Sequence, residues 1–189
     1  MTLTPRLRRA IIAASIAAAA VALPAVALAS SAATSAAATA TAVHRCYQSE
    51  LTAWLGVPGG GAAGSTYYEL ELSNVSGQWC TLYGYPGVSA LTSGTQDGSA
   101  ASRTGSHTPH LVTLAPGATS HVILQITDVA NYPPSTCQPV TATALRVYAP
   151  GDFAALTVPY SFSACSHAGP VYLHVSTTIA GTGIPGYST

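Results

Sequence analysis

An all-β, immunoglobulin-like sandwich of seven to eight short strands, stapled by two disulfides, is the fold class this sequence predicts. Three observations predict it. Apolar residues recur with a period of two in run after run. Gly/Pro turns separate the runs, and no helical period exists outside the N-terminus. Four cysteines follow a segment that reads as an export signal. A small barrel is the alternative; inward side chains that are mostly Val, Leu and Ala suit two sheets stacked about 10 Å apart.

The N-terminus sets the context. Arg6, Arg8 and Arg9 form a basic region, Ala10 to Leu23 an apolar one, and Pro24 breaks it before small residues that suit cleavage. Residues 1–29 are therefore expected to be a secretory signal peptide, not an uncleaved anchor, because a membrane span needs roughly 20 apolar residues. No cysteine near the cleavage region offers a lipid attachment point. Residues 30–45 are almost all Ala, Ser and Thr; they cannot pack and are expected to be a disordered leader. One domain over 46–180 and a loose tail over 181–189 complete the expected organisation.

Along the domain, Leu51, Ala53 and Leu55 alternate in a first strand, with Trp54 on its other face. Pro58 to Ser65 is expected to be a Gly/Ala loop. Its Gly59-x-Gly61-x-x-Gly64 matches the dinucleotide fingerprint in letters only, because a strand follows where a helix N-terminus is needed. Thr66 to Gly87 is expected to be a hairpin turning at Asn74 to Gly77. Tyr68, Leu70 and Leu72 point inward, and Tyr67, Glu69 and Glu71 point to solvent. Gly94 to Gly98 is a predicted turn. Further strands are predicted at Leu111 to Leu114, His121 to Thr127, Leu145 to Val147, Phe153 to Val158 and Val171 to Val175.

The chain has no lysine. Without the signal segment, Arg45, Arg103 and Arg146 face Glu50, Glu69, Glu71, Asp97, Asp128 and Asp152, and three minus six leaves a formal charge of −3. No basic stripe remains for nucleic acid or an anionic membrane, so neither is an expected partner. Cys46, Cys80, Cys137 and Cys165 read as two disulfides in an exported chain. Three pairings are possible; Cys46–Cys80 with Cys137–Cys165 joins sequence neighbours and is the one expected. No two cysteines lie closer than 28 residues, which removes the close ligand pairs of a zinc site.

Catalytic signals are weak. The G-x-S-x-G turn is absent. Glu69 and Glu71 stand about 6.7 Å apart along one strand, whereas glycosidase acids flank a sugar from different elements. His107 and His110 are the weak metal candidates, with His121 or His174 arriving from elsewhere. Met1 is the only methionine, and no carboxylate neighbours the pair. No cofactor is expected. Tyr67, Tyr83, Tyr85, Tyr148 and Tyr172 are the candidate binding surface, since tyrosine joins a flat apolar face to a polar tip. Tyr132 could also lie partly outward.

Cys46 and the stretch Tyr67-Tyr68-x-Leu70-x-Leu72-x-Asn74-x-Ser76-Gly77-x-x-Cys80-Thr81-Leu82-x-Gly84-Tyr85-Pro86-Gly87-Val88 resemble the family called domain of unknown function 4232. The resemblance continues through Leu114-Ala115-Pro116-Gly117, Cys137, Leu145-Arg146-Val147-x-x-Pro150-Gly151 and Cys165. It implies an exported actinobacterial protein with one all-β domain, and it implies no activity. Many relatives look like lipoproteins, and this chain lacks the lipid-bearing cysteine. The expected function is a secreted, non-catalytic β-sandwich that binds an envelope polymer or another protein. The alternatives are a secreted hydrolase whose site assembles only in three dimensions and, as a minor one, extracellular zinc or copper binding.

Overall fold

Alternating apolar residues produce twelve strands in the computed structural model, which describes residues 42–182 apart from 63 and 106. The segment expected to be a signal peptide, most of the expected leader and most of the expected tail lie outside the described residues. The strands are β1 (Leu51–Ala62), β2 (Ser65–Asn74), β3 (Cys80–Tyr83), β4 (Gly87–Thr92), β5 (Thr95–Asp97) and β6 (Ser102–Arg103). After them come β7 (Leu111–Leu114), β8 (Thr119–Thr127), β9 (Pro139–Tyr148), β10 (Ala155–Cys165), β11 (Leu173–Val175) and β12 (Ile179–Ala180). The one α-helical turn among the described residues, α1 (Pro134–Cys137), opens on a proline whose missing N–H costs nothing there.

The fold is a sandwich. The larger sheet has the order β1-β2-β8-β11-β6, with β12 also on β8. The second sheet runs β10-β9-β4-β5, and β3 pairs with β7 separately. Pairing is antiparallel except between β11 and β6. Leu70, Leu72, Val122 and Leu124 of the larger sheet join Val88, Ala90, Leu145 and Val147 of the second in one buried core. Each of the buried Leu and Val side chains contributes roughly 1.5–3 kcal/mol through burial. The twelve strands exceed the predicted seven to eight because four are very short: β6 and β12 hold two residues each, and β5 and β11 three each.

Three expectations about elements are corrected. Thr66 to Gly87 is not a hairpin. β2 pairs with β1 and β8, while β3 pairs with β7. The buried Asn74 side chain ends β2 and redirects the chain. Its Nδ2 donates to the carbonyls of Gln78, Leu114 and Ala115, and its Oδ1 accepts from Ser76 N and Oγ. The Pro58 to Ser65 loop is mostly strand, since Gly60 and Gly61 pair with Tyr67 and Thr66. The turn placed at Gly94 to Gly98 is shorter: Ser93 and Gly94 make it, and Thr95–Asp97 is β5.

The disulfides are Cys46–Cys80 and Cys137–Cys165. The first ties the chain before β1 to β3, where Cys46 N also donates to Thr81 O. The second joins α1 to the end of β10.

Candidate functional site

Two places hold chemistry. The first is the outer face of the larger sheet. Glu71 lies in the middle of β2, opposite Trp54 on β1 and His121 on β8. Alternation turns it away from the core and predicts solvent, yet it is 1% exposed, which corrects that expectation. Among the described residues neither of its carboxylate oxygens meets a hydrogen-bond donor. Burial, and then the neighbouring Glu69 carboxyl, raise its pKa from 4.5 to about 7. His121 is 2% exposed; its Nδ1–H donates to the Gly181 carbonyl at 2.7 Å, and Nε2 has no partner among the described residues. Farther along the same sheet, His174 Nδ1 and Ser102 Oγ share a hydrogen bond at 2.6 Å.

The second place is the open side of the sandwich, where edge strands β1 and β10 face each other. Tyr68 reaches from β2 to Tyr160 of β10, ring edge to ring face, with centroids 5.2 Å apart. The Tyr160 hydroxyl donates to the Tyr68 hydroxyl at 2.5 Å, which leaves the Tyr68 proton unused within the pair. Burial, and then Tyr68, push the Tyr160 phenol up to about 12, so it stays neutral. Phe162 lies 5.5 Å from Tyr160 with the ring planes 21° apart. This cluster separates two cavities of about 500 and 440 Å³, and both are lined by Tyr68 and Tyr160. The larger adds Ile126, Val129 and Phe162 with the hydroxyls of Thr66 and Ser163; the smaller adds Trp54, Pro58 and Pro159.

The family model for a domain of unknown function (DUF4232) matches residues 46–179. The chain belongs to the DUF4232 family. The match opens on the first disulfide cysteine and closes at β12, so it spans the sandwich. No curated protein and no solved structure matches the chain.

Of the tyrosines chosen from the sequence, Tyr172 does not reach the surface of the DUF4232 sandwich. Tyr67 on β2 is half-buried opposite Gln125. Tyr83 is 62% exposed beside the equally exposed Leu111. Tyr85 and Tyr148 lie under the guanidinium groups of Arg103 and Arg146. Tyr172 is a correction. It is fully buried, and its hydroxyl donates to the Asp97 carbonyl at 3.3 Å. Burial is also the main reason its phenol pKa is raised. The half-buried Tyr132 donates to the Val171 carbonyl. His107 and His110 are exposed between β6 and β7. Among the described residues no three His, Cys, Asp or Glu side chains are placed to hold a metal ion. Sequence reading missed the Tyr68–Tyr160–Phe162 cluster because it ended the tenth strand at Val158. The signal was present as Tyr160-x-Phe162, two aromatics with strand spacing.

Proposed function

We propose that the DUF4232 domain of this chain is exported and works by contact, without catalysis, as a binding module of the cell envelope or extracellular space. The observation that carries this reading is the ring-lined cleft on the open side. It joins apolar faces to hydroxyl tips across two sheets, and it is preformed. The carboxylate–imidazole group on the outer face favours contact over hydrolysis, because Glu71 and His121 are enclosed and not presented. Two disulfides suit an oxidising compartment. No helix among the described residues is long and apolar enough to cross a membrane. Export rests on the reading of residues 1–29 as a cleaved signal, followed by the leader over 30–45, the domain over 46–180 and the tail over 181–189.

The test is cosedimentation of the purified protein with cell-wall fractions of the producing organism. Binding is expected for the wild type and is expected to be lost when Tyr160→Ala and Phe162→Ala are combined. Binding that ignores these substitutions, or equals that of reduced, unfolded protein, counts against the module. Sequencing the N-terminus of secreted protein tests export; an intact Met1 on membrane-bound material refutes it.

A further inference from the structure

The two edge strands that border the cleft are poor templates for an added strand. β1 carries Pro58 with register breaks on both sides of it. β10 carries Pro159, where its pairing with β9 breaks before Phe162. Prolines and bulges on an edge prevent backbone pairing with an incoming chain. A ligand here must therefore be read by side chains.

Those side chains are rings and hydroxyls, with almost no charge. Asp128 is the one charged residue among the described residues that line either cavity, and its Oδ1 accepts the Ala130 N–H that it caps. Nothing there would neutralise a phosphate or a uronic acid, and burying such a charge unpaired is costly; the single exposed carboxylate of Asp128 adds to the case against an anionic ligand. A hydrocarbon ligand would leave the hydroxyls of Thr66, Ser163 and the tyrosine pair facing apolar surface, which is also unfavourable. The Tyr160 and Phe162 rings stack with centroids 5.5 Å apart, and both line the larger cavity with apolar ring surface. A pyranose has an apolar C–H face and a rim of hydroxyls, so it meets both demands. The two cavities meet at the Tyr68–Tyr160 pair, and each lies within the volume range of small-ligand sites. A ligand that continues past that pair fills both.

We propose that the open-side cleft binds a neutral oligosaccharide chain, one stretch of an uncharged polysaccharide, with sugar faces on Tyr160 and Phe162 and sugar hydroxyls on the tyrosine pair. This rests on the binding function above and adds the ligand class. The test is a microarray of neutral and acidic oligosaccharides probed with the purified protein, then calorimetry on the best neutral sugar. Tyr160→Ala and Phe162→Ala are each expected to weaken binding at least tenfold. Tyr160→Phe, which keeps the ring, should weaken it less. Tyr83→Ala, away from the cleft, should leave it unchanged. Near-ultraviolet circular dichroism checks that each variant is folded. An array that is silent, or that responds only to acidic sugars, overturns the proposal. So does neutral-sugar binding that survives the ring substitutions. If the array is silent while cell-wall binding still depends on Tyr160 and Phe162, the sugar class fails and the contact function stands. If cell-wall binding ignores those residues, the contact function fails as well.

Discussion

Replacing Glu71 by glutamine should make the protein more stable at pH 8 and remove a pH dependence that the wild type shows. Glu71 takes its proton with a pKa of about 7 in the folded chain, against 4.5 when unfolded. Between these values the folded state holds the proton and the unfolded state does not. Stability from this group is therefore fully present below pH 4.5 and is lost as pH rises through 7. The interval is 7 − 4.5 = 2.5. At about 1.4 kcal/mol per pH unit, that corresponds to roughly 3 kcal/mol, as an order of magnitude. The groups facing it are Glu69 on its own strand and His121 on β8. Glutamine keeps the shape and cannot ionise. Urea melts at half-unit steps from pH 4.5 to 8.5 supply the assay. The wild type should lose about 2–3 kcal/mol across this range relative to Glu71→Gln, and the two should nearly coincide at the acid end. Parallel profiles, or a wild type that gains stability relative to the variant with rising pH, would refute the claim that Glu71 is enclosed without a stabilising partner. Any slope left in Glu71→Gln reports other groups.

Asn74→Ala should destabilise the fold by roughly 2–4 kcal/mol, because it strips hydrogen bonds from the Leu114, Ala115 and Gln78 carbonyls at a buried turn; chemical denaturation measures this. Gly98→Ala should cost at least about 1–3 kcal/mol: φ is +60° there, and an added Cβ would fall 2.3 Å from the Cys165 carbonyl oxygen. A thermal melt matching wild type would refute this. Removing the Cys46–Cys80 bond by paired alanine substitution should cost roughly 3–4 kcal/mol in the chain-entropy model for a loop of 34 residues. Thiol titration of the unreduced, denatured wild type should find no free cysteine among the four.

Much of the fold was legible because its signals are local. Alternation at Leu111 to Leu114 and His121 to Thr127 marked strands that exist as β7 and β8. The cysteine order favoured the pairing that is found, because neighbours in sequence were expected to staple neighbouring strands. The quoted run from Tyr67 to Val88, with its companion motifs, carried the family. The candidate site was much less legible. Alternation says which face a residue occupies and not what lies beside that face. It therefore assigned Glu71 to solvent, although Trp54 and His121 flank it from strands 17 residues before and 50 residues after it. Tyr172 was misplaced for the same reason, since its burial against Asp97 joins residues 75 apart. The turn after Asn74 marked a reversal, but whether β3 pairs back on β2 or crosses to β7 depends on carbonyls 40 residues away. The cleft is the extreme case: Tyr68 and Tyr160 stand 92 residues apart and meet only because β1 and β10 end two sheets on the same side. Sequence by itself determined the fold class, several of the strands and the expected disulfide pairing, which follow from periodicity and spacing, while its motifs carried the family resemblance. Tertiary structure alone decided which polar groups are enclosed and where the rings converge, because both depend on contacts between residues that the chain brings together only when both sheets have formed.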